Sequence, residues 1–308
     1  MSDLALTQVT DYTLNGWAHP EAAEEQSRRY CKILESGKIL FFNEPPFAFA
    51  ETDRQFLLAQ KWAELRLHKN VSYRPSDDVF RGASGDSETV ARLHGIMRNY
   101  SRQVLDFLAR FLSPYAKQWI LDFSSFRPLE EQGRDLPLHK RNDLLHVDAF
   151  PSRPTRGGRI LRVFTNLNPS KSRVWETTGP FEKLAREYAE DAGLRQFADS
   201  RPVSKTVQNW GQRLGIRGMG RTPYDKFMLR FHDYLKENTA FQTNFPKDRL
   251  EFAPLATWLI YTDGVAHAAA SGQYAIEQTL IIPPAALVAP ELAPYRILEK
   301  IAGRSLVS

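Results

Sequence analysis

The chain of 308 residues is 42% hydrophobic, long enough to bury a large core as one big domain or two modest ones. Its single cysteine, Cys31, excludes a disulfide framework and a cysteine-rich zinc site, and no run of about 18 apolar residues is present to cross a bilayer. The net charge of +5, with an isoelectric point of about 9.2, favours anionic partners; nucleic acid is not expected, because no binding motif or aromatic–basic repeat accompanies the charge.

The N-terminus carries no basic stretch leading into an apolar one, so no secretory signal is expected and the cytoplasm is the expected compartment. Residues from about 20 to 120 read as mainly helical. Among them, residues 38–49 (KILFFNEPPFAF) form a short buried strand stopped by two prolines. Residues 87–112 then repeat apolar side chains at a spacing of about 3.6, from Val90, Leu93, Ile96 and Met97 to Phe111 and Leu112. That period predicts a long scaffold helix, with Ser87 as its cap.

The character changes from about residue 118. WILDFSSFRP, DLLHVDAF and GRILRVFTNLNP are short, rich in β-branched and aromatic residues, and bounded by Pro, Gly and Asn, as strands are. Helices are predicted over 180–193 and 223–238, and strands return in APLATWLIYTDG and GQYAIEQTLIIPP. Without a linker or repeat, residues 1–308 read as a single domain. Residues 1–117 are its mainly helical support and 118–308 its core. Strands interrupted irregularly by helices argue against a parallel sheet. The expected class is α+β, with a double-stranded β-helix (jelly roll) core and helical insertions.

The chemistry concentrates at His146-Val147-Asp148. Residues i and i+2 of a strand point to the same face, roughly 6.6 Å apart, so both side chains can reach one ion. An HxD triplet is common by chance, and the plain alternative is an ordinary strand-end pair. Leu144, Leu145, Val147 and Phe150 flank the two polar groups, however, and ionisable groups against a core edge need a partner or a metal. A second histidine would complete a 2-His-1-carboxylate set, which leaves coordination positions open and suits Fe(II) that activates O2. His19 and His68 fall in the helical scaffold, His94 on the long helix, and His232 on an amphipathic helix where packing is the default. His267 follows a strand and a turn among small residues and leads His139 by a small margin. Arg134, Lys140, Arg141, Arg153, Arg156, Arg159, Arg162, Lys171 and Arg173 surround the triplet in sequence. Most of such a run is ordinarily a solvated face, but the cluster as a whole favours an anionic ligand.

The segment HVDAFPSRPTRGGRILRVFTNLNP resembles the Fe(II)/2-oxoglutarate dioxygenases. With HKRNDLL before it and DGVAHAAASGQYAIEQTLIIP later, the chain is similar to the Kdo hydroxylases, bacterial enzymes that act on 3-deoxy-D-manno-oct-2-ulosonic acid (Kdo) attached to lipid A. The likeness extends from FFNEPPFAF to LEKIAGRSLV. It implies iron ligands at His146, Asp148 and His267, with 2-oxoglutarate and O2 as cosubstrates. It also implies hydroxylation at C3 of Kdo in a Kdo-bearing lipid A precursor, with transient contact at the inner face of the inner membrane. Assembly into a homo-oligomer is left open.

One departure stands out. The superfamily pairs the far carboxylate of 2-oxoglutarate with an Arg or Lys shortly beyond the last histidine, and here that place falls to Gln273, a neutral amide. Residues 162, 164 and 166 share one face of GRILRVFTNLN. By resemblance, that face puts Arg162 and Asn166 at the cosubstrate, where Arg162 could fork onto the carboxylate. Arg127, Arg159 and Arg304 are further candidates for this charge or for the substrate's carboxylate, although Arg304 in the tail is more readily solvated. The rival readings are an oxygenase for another small-molecule or protein substrate, a redox-neutral metal cupin, and a metal-free anion-binding module.

Overall fold

The computed structural model describes residues 5–60, 62, 70–199 and 220–307; His68 lies outside them. In chain order the elements are β1 (Leu6–Gln8), β2 (Tyr12–Thr13), β3 (Gly16–Trp17), α1 (Ala23–Glu35), β4 (Ile39–Phe42), α2 (Glu51–Ala59), β5 (Val71–Arg74), β6 (Val79–Arg81) and α3 (Ser87–Phe111). There follow β7 (Ile120–Arg127), β8 (Arg159–Asn166), β9 (Arg173–Thr177), α4 (Phe181–Tyr188), α5 (Leu194–Ala198), α6 (Pro223–Glu237), α7 (Thr239–Asn244), β10 (Asp248–Phe252), β11 (Thr257–Tyr261), β12 (His267–Ser271), β13 (Ala275–Ile282) and α8 (Pro294–Ala302).

The large sheet has the order β1-β4-β11-β8-β13-β7-β5-β6, and a smaller one has the order β10-β9-β12. Pairing is antiparallel throughout these two sheets except between β1 and β4. The N-terminal region is thus more than helical support: β1, β4, β5 and β6 extend both edges of the main sheet.

Two-residue alternation decides which side chains face which layer. Leu161 and Val163 of β8, with Leu259 and Tyr261 of β11, turn toward α3 and pack against its Leu93, Met97, Val104, Phe107, Leu108 and Phe111. The 3.6-residue spacing of that helix puts these groups on one stripe. Its cap is Asp86 and not Ser87, because the Asp86 carboxylate accepts the Thr89 amide while Ser87 is already in the first turn. Phe164, Trp258 and Ile260 point the other way and meet Trp175, Leu250 and Phe252 of the small sheet. A third cluster joins Leu145 and Val147 to α4, α5, α6 and α8, so the inserted helices pack directly behind the HxD triplet. No helix among the described residues is long and apolar enough to cross a membrane.

Candidate metal centre

DLLHVDAF does not form the expected ladder strand. Its backbone is pinned at single points instead: the amides of His146 and His267 each donate to the other's carbonyl, at 3.2 and 2.9 Å, and Asp148 N donates to Thr262 O at 2.8 Å. This short antiparallel pair carries two of the predicted ligand residues side by side. Candidate ligand atoms of His146, Asp148 and His267 all lie within 4.8 Å of one another. Nδ1 of His146 donates to the Leu144 carbonyl at 2.7 Å and Nδ1 of His267 to the Val265 carbonyl at 2.9 Å, which leaves each Nε2 as the lone-pair nitrogen. Trp175 stacks on the His267 ring at 5.2 Å and fixes its plane.

Protonation suits a cation as well as geometry does. Burial pushes the pKa of both imidazoles below the usual histidine value, so both are neutral. Burial alone would raise Asp148, but the Arg162 guanidinium holds its carboxyl well below the usual range. Two neutral imidazoles and one carboxylate are the ionisation states a divalent metal needs. Asp148 Oδ2 is buried without a hydrogen-bond partner. Arg162 Nε stands 3.1 Å from it, close enough to pair electrostatically but off the line of a hydrogen bond. Asp148 Oδ1 lies 3.8 Å from His146 Nε2, and a carboxylate gathered with two lone-pair nitrogens fits a cation.

The triad opens on a cavity of about 390 Å³. Arg127, Arg162 and Arg173 line it, with Glu131 and Glu277 interleaved behind them. Arg162 reaches Glu277 at 3.2 Å, Arg127 reaches Glu277 at 3.1 Å and Glu131 at 3.7 Å, and Arg173 reaches Glu131 at 3.3 Å. Burial would raise both glutamates, yet the arginines hold both below the ordinary value. On the cavity wall, Arg162 Nε, Arg173 Nε and Trp175 Nε1 are buried donors without hydrogen-bond partners.

Other predicted residues lie off this cavity. The Asn166 amide donates to the Lys171 and Phe252 carbonyls and its oxygen accepts the Asn168 amide, so the side chain is consumed in closing the turn after β8. Gln273 sits in the β12–β13 turn beside Gly272, whose φ of +127° and close approach to Arg173 direct the turn at that side chain's stem. Arg159 is fully buried against Asp263, at 2.8 Å, and over the Tyr261 ring, a structural ion pair. Arg304 is exposed and pairs with Asp199.

Sequence reasoning named Arg173 only as one of the basic cluster, set His232 aside as a packing residue, and missed Trp175 and Lys236; all four line the cavity. Arg173 and Trp175 alternate on β9, a strand whose five residues were too short to stand out. His232 and Lys236 are four apart on α6, a spacing that places them on one helix face. His232 is half-buried, desolvation lowers its pKa, and its ring lies 4.9 Å from that of His146.

The sequence matches the model of the 3-deoxy-D-manno-oct-2-ulosonic acid (Kdo) hydroxylase family over residues 17–305. No curated protein sequence matches. Among solved structures it is similar to the Kdo hydroxylase KdoO, a non-heme Fe(II) alpha-ketoglutarate-dependent dioxygenase, in complex with cobalt(II). The TM-score is 0.84 and the identity 32%, covering 99% of this chain and 98% of that one. KdoO in complex with alpha-ketoglutarate and Fe(III) gives a TM-score of 0.82 at 32% identity, over 98% of this chain and 97% of that one. KdoO with succinate and Fe(III) gives 0.82 at 32%, over 99% and 98%. A family match over nearly the whole sequence, with a fold shared end to end, makes this chain a member of the Kdo hydroxylase family.

Proposed function

We propose that this chain is an Fe(II)- and 2-oxoglutarate-dependent dioxygenase that hydroxylates C3 of Kdo in a Kdo-bearing lipid A precursor. The observation that carries the reading is the set of buried His146 and His267 with half-buried Asp148, opening on an arginine-lined cavity in a chain of the Kdo hydroxylase family. These three residues hold the iron. When bound, the metal supplies O2 activation coupled to decarboxylation of 2-oxoglutarate, one oxygen atom going to succinate and the other to the substrate C–H bond. The core is a double-stranded β-helix, its two sheets joined over Phe164, Trp175 and Trp258, and residues 1–308 work as a single domain.

The protein's part is to bind and orient. The far carboxylate of 2-oxoglutarate goes to the arginine cluster. Arg173 is favoured over Arg162, because Arg162 stands between two carboxylates, Asp148 and Glu277, whereas Arg173 meets one, Glu131, and its Nε lies near Trp175 Nε1, a second buried donor without a hydrogen-bond partner. Arg127 lies within the same charge network. Phe164 and Trp175 keep that end dry, which strengthens each charge-assisted bond. A lipid-linked substrate brings the enzyme to the inner membrane surface.

The test is turnover of a purified Kdo-bearing lipid A precursor with Fe(II), 2-oxoglutarate and O2. Succinate should form together with a product heavier by one oxygen on Kdo. Succinate that requires O2 but leaves the Kdo mass unchanged would remove the substrate assignment, and no succinate under any condition would remove the oxygenase. Arg173→Met should raise the 2-oxoglutarate KM by at least about tenfold, the cost of one charge-assisted bond.

A further inference from the structure

Along one face of α6, Leu229, His232, Asp233 and Lys236 recur at i, i+3, i+4 and i+7, and all four line the cavity. This wall differs in kind from the guanidinium cluster. It presents a carboxylate, an imidazole and one ammonium, and Lys236 is held in place by donating from Nζ to the His139 carbonyl at 3.0 Å. His232 Nδ1 lies 2.8 Å from the carbonyl of Val147, the residue between two of the proposed ligands. A carbonyl only accepts, so Nδ1 carries hydrogen and Nε2 is left for another partner.

We propose that this face of α6 selects a polyhydroxylated sugar acid, His232 and Asp233 bonding its hydroxyls and Lys236 its carboxylate, while His232 also braces the HxD triplet through Val147. The inference rests on the proposed function and deepens it. A substrate lacking hydroxyls would leave His232 Nε2 and the Asp233 carboxylate desolvated without their partners, which is how a hydrogen-bonding site rejects an apolar analogue. His232 is a positioning residue toward the metal and a specificity residue toward the sugar.

Conservative variants separate the two roles in the full chain. In His232→Asn the amide N–H can stand where Nδ1 stands and keep the bond to Val147, but nothing replaces Nε2. His232→Gln keeps a polar group nearer the cavity and loses the brace. The KM for the Kdo-bearing lipid should rise about tenfold in His232→Asn, Asp233→Asn and Lys236→Met, with the 2-oxoglutarate KM and Co(II) affinity within about twofold of wild type. His232→Gln should weaken Co(II) binding by about tenfold, as loss of an outer support does. Unchanged sugar KM in the first three variants, or equal shifts in both KM values, overturns the selecting wall. Unchanged Co(II) affinity in His232→Gln overturns the brace. Were the wild-type chain itself to leave Kdo unmodified, the functional reading would fall together with this one; wild-type hydroxylation with indifferent variants would sink this one alone.

Discussion

Arg159 opens β8 and Arg162 sits at its middle, both arginines near the HxD triplet in sequence, yet the fold gives them opposite tasks. Arg162 faces the cavity between Asp148 and Glu277. Arg159 is 1% exposed and meets Asp263, whose pKa burial pushes up even beside the guanidinium. Removing one partner of such a pair leaves the other charge buried and alone, which costs about 3–5 kcal/mol. Arg159→Met should therefore lower the urea midpoint by that equivalent, with 2-oxoglutarate turnover per folded molecule preserved. Turnover lost in step with Arg162→Met would contradict the structural assignment. The charge pattern could not separate these residues, because it records how many arginines are near and not which carboxylates they meet.

At the scale of elements, α6 depends on its first turn. Thr222 and Asp225 form a reciprocal capping box, and Asp225 Oδ1 also accepts the amides of Thr155 and Arg156, in the loop that follows the HxD triplet. Thr222→Ala removes one cap bond and should cost about 1 kcal/mol. Asp225→Ala strands loop amides as well and should cost about 2–3 kcal/mol by chemical denaturation, more than the cap alone. Equal losses in the two variants would mean the loop gains nothing from Asp225. The helices over 87–112 and 223–238 were legible because an amphipathic stripe repeats many times. β9 and β12 were not, since five-residue strands offer too few alternations, and β12 is mostly alanine.

Across the whole molecule, a chain of alternating charge runs from Asp148 through Arg162, Glu277, Arg127 and Glu131 to Arg173. It ties β13, β7 and β9 to the candidate metal centre, so the two sheets share one electrostatic seam. Burial would raise Glu131, but Arg127 and Arg173 hold it below the ordinary 4.5. A depressed carboxylate contributes stability that is fully present above its unfolded value and is lost as pH falls through that value toward the folded one. The urea midpoint should accordingly drop below about pH 4.5, and Glu131→Gln should start lower at pH 7 and show a shallower acid slope. An identical slope in the variant would place the acid sensitivity elsewhere.

The sequence by itself determined the local periodicities, the antiparallel character of the core and the HxD triplet, because each is written in spacing along the chain; for the distant histidine, spacing put His267 only a small margin ahead of His139, and the family resemblance singled it out. Only the tertiary structure decided that Arg173, Trp175, His232 and Lys236 stand on the cavity while Asn166, Gln273, Arg159 and Arg304 do not. Those placements depend on pairings across long stretches of chain, such as β9 with β12 and α6 with Val147. The partner a buried charge finds is fixed by packing in three dimensions, and neighbours in sequence carry no record of it.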